Sequence, residues 1–216
     1  MTTSVPPSSE VASPIEATET SITSKATFLD ERGATWQLSR RVVPAKQVGG
    51  FDISISLQVD KPRILVYFPA LLLHMSSAPF HQAIFPGIEY LDARDTSSSQ
   101  ADIETDEHNR EVPQRHQPTI PLMAIQQPDK LWLSLAYTRF DRVSPFFDVP
   151  DRHFGTGMPT MGVLFPGGFH DPGSLVPERG YQMASGVVLS TTIQVRGGTK
   201  GETVLAGDVE RAALME

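Results

Sequence analysis

The chain has 216 residues, a formal net charge of -7, 18 prolines, 16 glycines and no cysteine. An acidic balance argues against a phosphate-backbone partner and against docking on anionic lipid. The missing cysteines exclude disulfides, thiolate zinc sites and cysteine nucleophiles. No run of about 18 apolar residues predicts a transmembrane helix. The absence of a basic and apolar N-terminal signal favours the cytoplasm.

Residues 1–25 are rich in Ser, Thr, Pro and Glu, with scattered Val and Ile and no sustained period. They read as a disordered leader, because they bury too little apolar surface to offset the entropy of ordering. The main domain is expected over residues 26–200.

Residues 34–43 (ATWQLSRRVV) form a first strand, paired across a Gly-containing turn with the strongest strand signal in the chain. In that second strand Phe51, Ile53, Ile55, Leu57 and Val59 alternate with Asp52, Ser54, Ser56, Gln58 and Asp60. Period two predicts one buried and one wet face. Pro62 ends it, since proline cannot donate to the ladder. Residues 63–68 (RILVYF) are apolar almost throughout, which suits a strand covered on both faces.

Further strands are expected at residues 119–126 (TIPLMAIQ), 130–137 (KLWLSLAY) and 186–195 (GVVLSTTIQV). Pro128 and Asp129 join the first two as a hairpin. Residues 144–149 and 161–165 are candidates for short edge strands. Two long loops remain, 74–115 and 150–181, and long ordered loops in compact domains are usually functional or held by partners. With no long helical period before the end, the class is all-β, as two packed antiparallel sheets in a β-sandwich. Residues 201–216 read as a linker and the start of a helix. Asp208 is its cap, and the two turns written are either a frayed tail or the start of a truncated helical segment.

The richest candidate chemistry lies in FPGIEYLDARDTSSSQADIE, residues 85–104. A Phe85-Pro86-Gly87 turn is expected to place Ile88 and Tyr90 on one face and Glu89 on the other. Asp92, Asp95, Asp102, Glu104, Asp106 and Glu107 follow, with the hydroxyls of Ser97, Ser98 and Ser99. Four readings fit. The acids supply hard oxygen ligands for calcium, but without the spacing of a calcium loop. They supply the two carboxylates a glycosidase needs. They contact sugar hydroxyls or a neighbouring domain without chemistry. Or the loop is a solvated acidic turn, with Glu89 satisfied by backbone N–H groups or an arginine.

The six histidines, His74, His81, His108, His116, His153 and His170, form no HxH or HExxH spacing. No GxSxG elbow and no phosphate-binding loop is present. Trp36 and Trp132 could stack on sugar rings, although strand tryptophans are more often core. Trp132 is the better candidate for exposure, because it opposes a leucine face.

Several of these segments together resemble the N-terminal β-sandwich of large bacterial proteins classed with the six-hairpin glycosidases. FPGIEYL followed by D-TSSS-ADI is similar to that family's FPGLEYL…E-SSS-DI. TIPLMAIQQPDKLWLSLAY is similar to its TIPLMAVE…GLLW strand pair. LQVDKPRILVYFPALLL and SPFFDVPDRHFGTGMPTMGVLFPG have counterparts as well. The chain departs from the pattern at Ala93-Arg94, where the family has a Gly–acid pair.

The resemblance runs from about residue 25 to the C-terminus and implies a supersandwich-like domain followed by an α/α toroid. It also implies a carbohydrate-linked context, with any catalytic residues in the toroid. The expected function is therefore a non-catalytic domain that binds carbohydrate or buttresses a helical catalytic domain of the same longer protein. Glu89, Tyr90, Asp95, Ser97, Ser98 and Trp132 are its candidate contacts. No cofactor is expected, with calcium the alternative. A glycoside hydrolase using the loop carboxylates and a purely structural or oligomerising sandwich are the competing readings.

Overall fold

The computed structural model describes residues 11–12, 15–46, 49–65, 68–75, 79–97, 117–138, 143–151, 155–165, 181–201 and 204–205. The fold is all-β, as expected. One antiparallel sheet contains β1 (Val11–Ala12), β3 (Ile22–Leu29), β4 (Thr35–Pro44), β5 (Gly50–Val59), β15 (Val188–Gly198), β11 (Trp132–Tyr137), β10 (Leu122–Gln126), β8 (Gln82–Phe85) and β9 (Glu89–Asp92), in that spatial order. Strand β2 (Glu16–Ala17) also pairs with β3. A second sheet has β13 (Thr160–Leu164) between β12 (Ser144–Asp148) and β7 (Pro69–His74). A third consists of β6 (Arg63–Leu65) and β14 (Tyr181–Met183).

The period-two pattern of β5 works as read. Ile53, Ile55, Leu57 and Val59 are buried, while Ser54 is exposed. Directly paired residues share a face, so Ile53 opposite Ile193 and Val195 opposite Leu135 extend one apolar surface across β15 and β11. The three-stranded sheet packs on that surface through Phe147, Met161 and Val163, closing the main core. The β6–β14 pair closes a smaller core, where Met183 meets Trp36, Leu57 and Val59.

Several expectations need correction. The leader boundary at residue 25 falls inside β3, which pairs with β4 from Ile22 to Leu29. This strand lies near the sheet edge and leaves Ile22 and Leu29 about half exposed. Its composition therefore resembles a tail, although the β4 ladder satisfies its backbone. Phe51 heads the expected buried face but is 53% exposed, because it lies at the end of β5 opposite Pro44. The 63–68 segment is not a doubly covered strand. Its described strand is β6, half of an outlying pair in which Ile64 is exposed. The 74–115 loop contains the β8–β9 hairpin. Residues 161–165 belong to a central strand rather than an edge, because β13 pairs on both sides. The helix start at Asp208 lies outside the described residues, while Gly201, Val204 and Leu205 are helical.

Candidate functional site

The β8–β9 hairpin is built by its turn. Proline suits the second position, and glycine the third where φ is positive. Gly87 has φ +84°, and the Ile88 N–H donates to the Phe85 carbonyl at 2.9 Å. A side chain at Gly87 would collide with Gln117 O and Thr119 N, so the turn requires glycine here. The Thr119 N–H donates to Pro86 O at 3.0 Å and holds the turn in place.

This register decides which way Glu89 faces. Glu89 is the direct partner of Phe85. Phe85 is fully buried and meets Phe147 at a ring distance of 5.4 Å. Glu89 therefore lies on the core side and is only 8% exposed, whereas Tyr90 lies on the outer face and is 69% exposed. The expected grouping of Ile88 with Tyr90 away from Glu89 does not hold: Ile88, still in the turn, packs against the core on the side of Glu89, and Tyr90 faces out. It is the carboxylate that turns inward, because the turn length sets the register and polarity does not.

The remaining loop residues organise backbone. The Asp92 N–H donates to Asp95 Oδ2 at 3.0 Å, and the Arg94 N–H to Asp92 Oδ1 at 2.9 Å. The Asp95 N–H returns to Asp92 O at 3.0 Å. The two aspartates thus close one exposed turn, while Glu89 lies across the hairpin on its other face. Ser97 is buried and makes a two-point clamp with Val149. Its N–H donates to Val149 O at 2.8 Å, and its Oγ accepts from Val149 N–H at 3.0 Å. Ser98, Ser99 and the acids at 102, 104, 106 and 107 lie outside the described residues, as do His108, His116, His153 and His170. Among the described residues, no group of three or more His, Asp or Glu could hold a metal.

The Ser97 clamp leads to polar residues that sequence spacing did not single out. Asp148, Thr160 and His74 are consecutive partners across β12, β13 and β7 and so share one face. Asp148 and Thr160 are fully buried, and His74 at the end of the row is exposed. Asp151, also buried, accepts Thr156 N–H at 3.0 Å and the Thr156 hydroxyl. The signal for the row was a period-two reading of residues 144–149 and 160–164, which needed the strand partners as well.

Trp132 is not an exposed platform: it is 7% exposed. Its face of the large sheet is covered by the chain's own helical turn, with Val204 and Leu205 packed around Trp132, Ala124 and Ile84. A Cβ at Gly201 would sit 2.5 Å from the indole Nε1, so only glycine allows this approach. Ile84 pairs with Tyr90 on one side and Ala124 on the other. Exposed Tyr90 therefore borders the apolar surface on which the helical turn sits. Trp36 is core, stacked on Phe28 with a ring distance of 6.0 Å, and its Nε1 donates to Asp30 at 3.0 Å.

Asp30 gathers several charged and neutral donors around one carboxylate. It accepts from Arg63 Nε at 2.6 Å and from Arg63 Nη2, and also from the N–H groups of Arg32 and Ala34. The Arg63 bonds, followed by those backbone and indole donors, outweigh burial and hold its carboxyl well below the usual aspartate range. It ties the β3–β4 turn to β6 and stands apart from the β8–β9 hairpin.

No protein-family model and no curated protein matches the chain. Among solved structures it is similar to a protein described as a kojibiose phosphorylase from human microbiome. Sequence identity is 8% and the TM-score 0.40, over 90% of this chain and 20% of that one. It is also similar to a GalM/aldose epimerase homologue from C. elegans, at 9% identity and TM-score 0.46, over 86% and 68% of the two chains. A protein described as an aldose 1-epimerase from Escherichia coli K12 is similar at 13% identity and TM-score 0.39, over 85% and 67%. The chain thus spans about a fifth of the length of the phosphorylase.

Proposed function

We propose that this chain is a non-catalytic β-sandwich domain of a carbohydrate-processing protein, and that it buttresses a helical domain. One observation carries the buttressing role. A helical turn of the chain is already seated on the outer face of β11 and β10, and apolar surface continues from it through Ile84 to exposed Tyr90. An apolar surface beside a seated helix is suited to more helix. The carbohydrate context rests on the sequence resemblance. The non-catalytic reading is supported by the roles of the loop residues, since Asp92, Asp95 and Ser97 hold backbone N–H groups.

The exposure of Tyr90 favours a second reading, in which its ring stacks on a sugar.

The test uses the purified chain. The buttress reading expects 1-anilinonaphthalene-8-sulfonate to bind the native chain and to bind the folded Tyr90→Asp variant less. Native protein that binds no dye would remove the apolar surface from the account. Glycan-array capture lost in Tyr90→Ala would reassign Tyr90 to sugar. Turnover of an aryl glycoside, abolished in a folded chain by Glu89→Gln or Asp95→Asn, would overturn the non-catalytic reading.

A further inference from the structure

His74 is an imidazole pinned by a buried hydroxyl. It closes β7 at the exposed end of the Asp148–Thr160–His74 row. Its Nδ1 lies 2.9 Å from Thr160 Oγ1, and the same oxygen lies 3.0 Å from Met158 O. A hydroxyl has one proton to donate, and a carbonyl can only accept. If the Thr160 proton points to Met158, the contact with His74 is made by a proton on Nδ1. The reverse assignment places two oxygen lone pairs 3.0 Å apart with no proton between them. Met158 O also accepts from the Asp151 N–H at 2.9 Å, which leaves its second lone pair for Thr160.

We propose that His74 is a preset proton acceptor: Thr160 holds its ring as the Nδ1–H tautomer and leaves Nε2 as the free basic nitrogen. A neutral imidazole carries one N–H, and the bond made by one nitrogen sets the state of the other. The pinning group is the more rigid of the two. Thr160 is fully buried in the central strand of its sheet, and the backbone beside His74 is fixed by Met75 N–H donating to Pro159 O at 2.8 Å. The exposed ring can therefore accept a hydrogen bond, or a proton, from a hydroxyl or other protic group of a ligand. This position lies on the three-stranded sheet, apart from the seat of the helical turn, and does not depend on the buttressing role.

The experiment is a long-range proton–nitrogen correlation spectrum of the intact chain, labelled with nitrogen-15 histidine. It is recorded above the usual imidazole titration range, with His74 assigned by His74→Gln. The expected result is a protonated Nδ1 and an unprotonated Nε2. Thr160→Val, which removes the acceptor, is expected to move His74 toward the Nε2–H form, and Thr160→Ser to preserve the wild-type spectrum. An Nε2–H ring in the wild-type chain overturns the proposal, as does a folded Thr160→Val variant with an unchanged ring. Because the wild-type spectrum alone decides the tautomer, the test survives a variant that fails to fold.

Discussion

The two halves of the large sheet bury their strands in different ways. In β4 and β5 one face packs on the core and the other stays polar, with Gln37, Arg41 and Ser54 exposed. In β11 and β10 both faces are closed: Leu135 and Met123 lie against the three-stranded sheet, and Trp132 and Ala124 lie under the helical turn. The difference shows where the molecule is free to change. A half-wet strand tolerates substitution on every second residue, whereas a strand covered on both faces has no such positions. The candidate interface borders the covered half, on β8 and β9, where Ile84 touches the helical turn and Tyr90 is exposed.

The largest expected effect lies in the covered half. Leu135→Ala removes a fully buried side chain and is expected to lower stability by about 3 kcal/mol, measured by urea unfolding. Gly201→Leu sharpens the comparison from the other side of the same strand. Its Cβ would meet the Trp132 indole, so a loss of roughly 2 kcal/mol is expected, with a red-shifted tryptophan emission as the turn is displaced. Unchanged emission and stability would mean that the turn does not press on the indole.

In the half-wet half, Asp30→Asn tests the tie between the β3–β4 turn and β6. A loss of roughly 2 kcal/mol at neutral pH is expected, because the charge-assisted bonds from Arg63 weaken. The pH dependence has a definite sign. The folded carboxyl is held below its ordinary value of 3.8, so its contribution is complete above that value and is lost as pH falls below it. Asp30→Asn should flatten that acid limb of the stability profile, and an unaltered limb would assign it to other groups. The smallest effect is expected for Ser56→Ala on the polar face of β5, within about 0.5 kcal/mol. A loss comparable to that of Leu135→Ala would show that this face is covered too.

Some of this was legible in the residues. The alternation in β5 and the hairpin of β10 and β11 follow from local period and turn chemistry, and both strand pairings are as read. The candidate site was less legible. Glu89 was singled out, but its direction depends on being opposite Phe85, which the three-residue turn determines. Trp132 opposes leucines along its strand, and only the returning C-terminal turn reveals that its own face is covered. Thr160 and His74 are far apart in the chain and carry no shared motif, so their contact exists only once β13 lies beside β7.

By itself the sequence determined the all-β class, the principal strands and the acidic character, because side-chain period and charge act locally. The tertiary structure decided the order of strands. β15 enters between β5 and β11, bringing Ser54 and Thr192, 138 residues apart, within 3.4 Å. It also decided which polar groups are buried, and which nitrogen of His74 is free to accept a proton. Those outcomes depend on pairing between distant segments, where many registers satisfy the same local pattern and packing of the whole core selects one.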